Sequence, residues 1–185
     1  MILPIFTYGN AVLRKKADPV TKDDPKLKEL IDNMFETMYH AEGVGLAAPQ
    51  IGLPIRILVI DLKALKEDNP ELGSFKVVMI NPEMVEMSED EVTNEEGCLS
   101  IPGIHETVSR AQIIKIKYLD ADYNENIGEF DGYKARVIQH EYDHLEGSLF
   151  TDKVSPIRRQ LLKSKLTNIV KGKASTSYKT KPAQS

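Results

Sequence analysis

At 185 residues, 41% of them hydrophobic and 28% charged, the chain can bury a core and is too apolar to be wholly disordered. No apolar run approaches the roughly 20 residues of a membrane span, and the opening MILPIFTYGN has neither the basic nor the long apolar region of a signal peptide, so no membrane is expected as a partner. A single cysteine forbids an internal disulfide and points to the cytoplasm, while the net charge of −4 hides a tail in which every charged side chain from Lys153 onward is basic.

Asp24-Pro25 reads as an N-cap followed by proline in the first helical position. Leu27, Leu30, Ile31, Met34, Phe35 and Met38 then recur at helical spacing, and Gly43 is the expected stop. The β-branched runs at 55–61, 75–85 and 111–122 predict strands. Asp131-Gly132 opens a second helix, which ends at Gly147. Ser155-Pro156 opens a third, with Ile157, Leu161, Leu162, Leu166, Ile169 and Val170 on one apolar stripe. These elements predict one α+β domain over residues 1–170, with antiparallel strands packed around the second helix and helices towards both ends. Residues 171–185 carry no core-forming pattern and are expected to form a disordered basic tail. An acidic body with a basic C-terminus fits an anionic partner, or simply a solvated helix face.

The second helix carries QHEYDH. Residues four apart share a helix face, so His140 and His144 can reach one metal ion. Glu141 is turned by about 100° from His140 and can stand beside the ion as a general base without ligating it. Two ligands do not complete a site. Beyond Gly147 there is no histidine or glutamate, which leaves the lone cysteine of EGCLS, Cys98, as the third donor. A lone cysteine is more often a small buried hydrophobe. Here Gly97 before it and Pro102-Gly103 after it mark backbone that approaches something closely. One thiolate and two imidazoles leave a position for water, as a catalytic site requires. His40 and His105 are read as ordinary surface residues. The glycine-rich turn GVGLAAPQ, residues 43–50, ends in one amide side chain, Gln50.

Taken together and in this order, GVGLAAPQ, EGCLS and QHEYDH resemble the three motifs of the peptide deformylases. The resemblance covers roughly residues 2–170 and is similar to the bacterial branch that ends in a helix. It implies an enzyme that removes the N-formyl group from the N-terminal methionine of new proteins and releases formate. It implies Cys98, His140 and His144 as metal ligands, with Fe(II) the usual ion and Zn, Ni or Co able to replace it. Glu141 would be the base, and the Gln50 amide and Leu99 N–H would receive the oxyanion. Val44, Gly45, Glu96 and Gly97 would lie along the peptide. Tyr133, Arg136 and Val137, one or two turns before His140, would wall the methionine pocket, with the Arg136 head reaching solvent. The family's helical C-terminus also implies docking near the ribosomal exit tunnel. The alternative is a metallopeptidase using HExxH on internal peptide bonds, against which the missing downstream ligand counts.

Overall fold

In the computed structural model, which describes residues 1–22 and 24–184, a five-stranded antiparallel sheet is sandwiched between two helices. Its strands are β2 (Gly45–Ala47), β3 (Ile57–Asp61), β4 (Lys76–Met87), β7 (Ile113–Leu119) and β8 (Glu125–Asp131), hydrogen-bonded in that order. The remaining strands are β1 (Ile5–Phe6), β5 (Glu91–Cys98), β6 (Ile101–Ala111) and β9 (Thr180–Lys181). The helices are α1 (Leu27–His40), α2 (Gly132–Leu145) and α3 (Pro156–Val170).

The apolar run ILVI that opens β3 is buried on both faces because it has a helix on each side. Ile57 and Val59 join the cluster under α1, with Met34, Phe35 and Met38. Leu58 and Ile60 join the cluster under α2, with Ala135, Val137 and Ile138. The α1 helix starts two residues later than Asp24-Pro25 suggests. Asp24 still serves its entry, accepting from Lys26 N–H through Oδ1 (2.9 Å) and from Leu27 N–H through its carbonyl (3.0 Å). At the other end the left-handed residue is Glu42, φ 57°, and not Gly43. Gly43 is small for a different reason: a Cβ there would sit 2.7 Å from Leu99 Cδ1.

Two elements depart from the sequence reading. The β5–β6 hairpin is a separate two-stranded sheet, paired from Glu91↔Ala111 to Gly97↔His105 and irregular between Gly97 and Cys98. The second is the C-terminus. Of the stripe expected on α3, Leu162, Leu166 and Ile169 are buried against Ile101, Ile104, Val108 and Phe150, whereas Ile157 is 77% and Leu161 64% exposed. The buried three follow one i, i+4, i+7 row, and Ile157 and Leu161 lie off it. The tail beyond α3 is not the disordered extension expected. Its backbone polar groups find partners in β9, which pairs parallel with β1 as Ile5↔Thr180 and Phe6↔Lys181. Tyr178 and Ala174 give it apolar anchors. Ser185 lies outside the described residues.

Candidate active site

The α2 helix is held centrally against β2, β3, β6, β7 and β8, and it presents His140, Glu141 and His144 to the end of β5. There Cys98 meets them: one donor atom from each of Cys98, His140 and His144 lies within 4.8 Å of the others. Cys98 Sγ is 3.4 Å from His144 Nε2. The His140 ring stacks on Phe150, 5.9 Å between centroids, which fixes its plane. Its Nδ1 lies 2.8 Å from Glu96 Oε1, leaving Nε2 for the shared space. One thiol and two imidazoles at this mutual distance suit Fe(II), Zn, Ni or Co, with a further coordination position left for water. Glu141 adds a second indication that something polar belongs here, because its buried Oε2 has no hydrogen-bond partner.

Beneath His140 lies a buried cluster of charge. Glu96 is gripped by Arg110, Nε to Oε2 at 2.6 Å and Nη2 to Oε1 at 2.9 Å, and by Arg136 Nη1 to Oε2 at 2.5 Å. Arg110 also reaches Asp143 Oδ2 at 2.8 Å. Burial alone would raise the Glu96 pKa, but its bonds to His140 and Arg110 and their charges hold it down at about 2. It is therefore a permanent carboxylate that orients the His140 ring, a partner commonly required by ligating histidines. Burial dominates at Glu141 and pushes its carboxyl up to about 7, against the charges of His140 and Arg110. Burial also opposes protonation of His140, yet the bonds to Cys98 and Glu96 raise its pKa; His144, buried and beside His140, is lowered.

A cavity of about 490 Å³ opens above these groups. Gln50, Leu99, Glu141, Val44, Gly45, Glu96, Gly97, Tyr133, Arg136 and Val137 all line it, so the predicted site residues converge, with His144 just beneath. The Gln50 amide is oriented by the chain: Oε1 accepts from Ala47 N–H (2.9 Å), which aims Nε2 at Ser100 Oγ (3.1 Å) and Cys98 Sγ (3.6 Å). Gly45 packs against Glu141, since a Cβ there would lie 2.6 Å from Glu141 Oε1.

The expectation for Arg136 needs correction. Its head does not reach solvent: the residue is 4% exposed and its guanidinium binds Glu96, Val108 O (3.0 Å) and Val92 O. The buried Glu96 carboxylate gives the buried guanidinium the charged partner it requires. His105 is exposed as expected, yet it also lines the cavity, against Gly97. Sequence reasoning missed Arg110 altogether. The clue was available on β6, where Ile104, Glu106, Val108 and Arg110 alternate onto one buried face. A charged residue on an apolar strand face implies a buried partner. The wall formed by Ser175, Thr176, Ser177 and Tyr178 carried no sequence cue.

The comparisons agree with this geometry. The family model described as polypeptide deformylase matches residues 2–160. A curated peptide deformylase of Christiangramia forsetii is 50% identical over 186 residues, covering 97% of this chain and 95% of its own. Among solved structures, the peptide deformylase of Legionella pneumophila is similar with a TM-score of 0.81 at 42% identity, covering 91% of this chain and 95% of that one. That of Thermotoga maritima gives 0.76 at 45% identity, covering 84% and 99%. With its three motifs gathered around one cavity and these relatives matching nearly its whole length, the chain belongs to the polypeptide deformylase family.

Proposed function

We propose that the chain hydrolyses the formyl amide of N-formyl-methionyl peptides with Cys98, His140 and His144 as metal ligands and Glu141 as the base. The observation that carries this assignment is the buried, unpartnered Glu141 Oε2 beside a Cys–His–His donor set. A divalent cation held by Cys98, His140 and His144 would supply Lewis acidity for the formyl carbonyl and for water. Fe(II) is the ion we assign, since thiolate and imidazole suit it, with Zn, Ni or Co as substitutes.

The chain's own groups do the rest. β2 and β5 each have one side without a strand partner among the described residues, so an extended peptide can pair along Val44-Gly45 and Glu96-Gly97. Val137 and Tyr133 bound the space for the methionine side chain. Glu141 accepts a proton from the attacking water as oxygen adds to the formyl carbon. Gln50 Nε2 and Leu99 N–H donate to the carbonyl oxygen as it gains charge. When the carbon–nitrogen bond breaks, Glu141 returns the proton to the departing amine. Formate and a free N-terminal methionine remain.

Among the described residues no helix is long and apolar enough to cross a membrane. The substrate we propose arises in the cytoplasm, which is where we place the protein. The basic exposed face of α3 supports docking at the ribosomal exit, where formylated chains emerge and their local concentration is highest. The test of the reaction is formate release from formyl-Met-Ala-Ser by metal-loaded protein, with casein left intact. Casein cleavage without formate release would restore the internal metallopeptidase.

A further inference from the structure

The cavity is completed by chain outside its three motifs. Ser175, Thr176, Ser177 and Tyr178 line it together with Cys98 and Glu141. They are fastened at both ends. On the α3 side, Lys173 N–H donates to Asn168 O at 2.9 Å. On the other, β9 pairs with β1, and Asn10 Nδ2 donates to Lys181 O at 2.9 Å. Between these points Thr176 Oγ1–H donates to Tyr178 O at 2.7 Å, and the Tyr178 ring packs on the same core cluster as Leu99.

The Tyr178 hydroxyl then donates to Leu99 O at 2.7 Å. The next carbonyl, Ser100 O, accepts from Tyr8 N–H at 2.8 Å, two residues beyond β1. The two ends of the chain, joined by the β1–β9 pairing, thus grip successive carbonyls of the turn that follows Cys98. Leu99 is constrained from its side chain as well, where Gly43 leaves room for Cδ1. An oxyanion donor is effective only when it is aimed before charge develops, because a mobile donor must be ordered during the reaction.

We propose that Tyr178 is a positioning residue for deformylation: by holding the Leu99–Ser100 peptide through its carbonyl it restrains the Leu99 backbone, so that the N–H of the preceding Cys98–Leu99 peptide points at the formyl oxygen, and the segment 174–181 exists in this fold to deliver it. The proposal rests on the deformylase reading, so the parent protein must first release formate from formyl-Met-Ala-Ser; a parent that does not overturns that reading before any variant is made. Tyr178→Phe keeps the ring and removes one hydrogen bond. We expect kcat to fall roughly fivefold, equivalent to the ~1 kcal/mol of one neutral hydrogen bond, with KM within about twofold. Bound metal should be unchanged, and amide hydrogen exchange over residues 98–101 should quicken in the metal-loaded variant. An unchanged kcat in Tyr178→Phe overturns the proposal. So does a change confined to KM, which would make Tyr178 a substrate contact, or a fallen kcat with unaltered exchange over 98–101.

Discussion

Gly45→Ala isolates the placement of the base from its presence. A Cβ at position 45 would sit 2.6 Å from Glu141 Oε1, 2.9 Å from Cγ and 3.0 Å from Cδ. Ordinary contact begins at 3.4 Å, so the carboxyl must retreat by about 0.8 Å. Position 45 has no positive φ, and alanine costs no backbone strain there. Overpacking costs roughly 1–3 kcal/mol, and loss of unfolded-chain freedom returns about 0.4–1 kcal/mol. The net penalty of about 1–2 kcal/mol corresponds to a fall in Tm of only a few degrees for a domain of this size. Catalysis is far less forgiving, since a misplacement of about 1 Å can cost a hundredfold. The three atoms nearest the new methyl group all belong to Glu141 and none to a metal-ligating side chain, so bound metal should stay at the parent level. The expected outcome is a folded, metal-replete protein with kcat about a hundredfold lower, read by coupled formate detection beside metal analysis and a thermal melt. Turnover within threefold of the parent would show that Glu141 need not stand where the structure places it.

Glu141→Gln should keep its metal and lose about 10²–10⁴ in kcat, since it removes the base and no ligand; near-normal formate release would refute the role. Cys98→Ser should lower metal content after dialysis, because a hydroxyl is a poor substitute for a thiolate; unchanged content with unchanged activity would place the ligand elsewhere. The Glu96 carboxyl, held at about 2 against an ordinary 4.5, stabilises the fold above pH 4.5, and this contribution is lost as pH falls through about 2. It amounts to roughly 3 kcal/mol, so the stability gap between parent and Glu96→Gln in urea melts of chelator-treated protein should narrow from pH 6 towards pH 2.5. A gap independent of pH would contradict the assignment.

Periodicity revealed what is governed by local burial. ILVID announced a strand, and HEYDH declared a helix with two histidines on one face. The hairpin was harder because EVTNE of β5 is exposed residue after residue, with Glu96 the first buried position. Its strand character comes from pairing with β6, not from an apolar face. Arg136 was misjudged for a related reason: a long charged side chain is normally solvated, and only its contact with a carboxylate 40 residues away reverses that expectation. The tail was the least legible. Its partner strand lies at the opposite end of the chain, and it meets the turn after Cys98 through the Tyr178 hydroxyl, 79 residues away from Leu99. A pairing across such a separation leaves no periodic trace in either segment.

The same structure alters how docking by α3 must be tested. Arg158 belongs to the domain itself: Nε donates to Glu106 Oε2 at 3.0 Å and Nη2 to Oε1 at 2.6 Å, and this pairing lowers the Glu106 pKa. Reversing Arg158 would set two carboxylates together and confuse weakened docking with a weakened fold. Arg159, Lys163 and Lys165 are exposed, and none of them lines the active-site cavity. The triple change to glutamate should leave formate release from formyl-Met-Ala-Ser unaltered and reduce co-sedimentation with ribosomes at low salt. If the three cations meet phosphates, the dependence of log affinity on log salt should also flatten by about one unit for each lost contact. Ile157→Ser with Leu161→Ser is the counterpart, because an apolar contact would weaken binding without changing that slope. Undiminished sedimentation of the charge-reversed protein at low salt would leave the basic face of α3 as solvated surface.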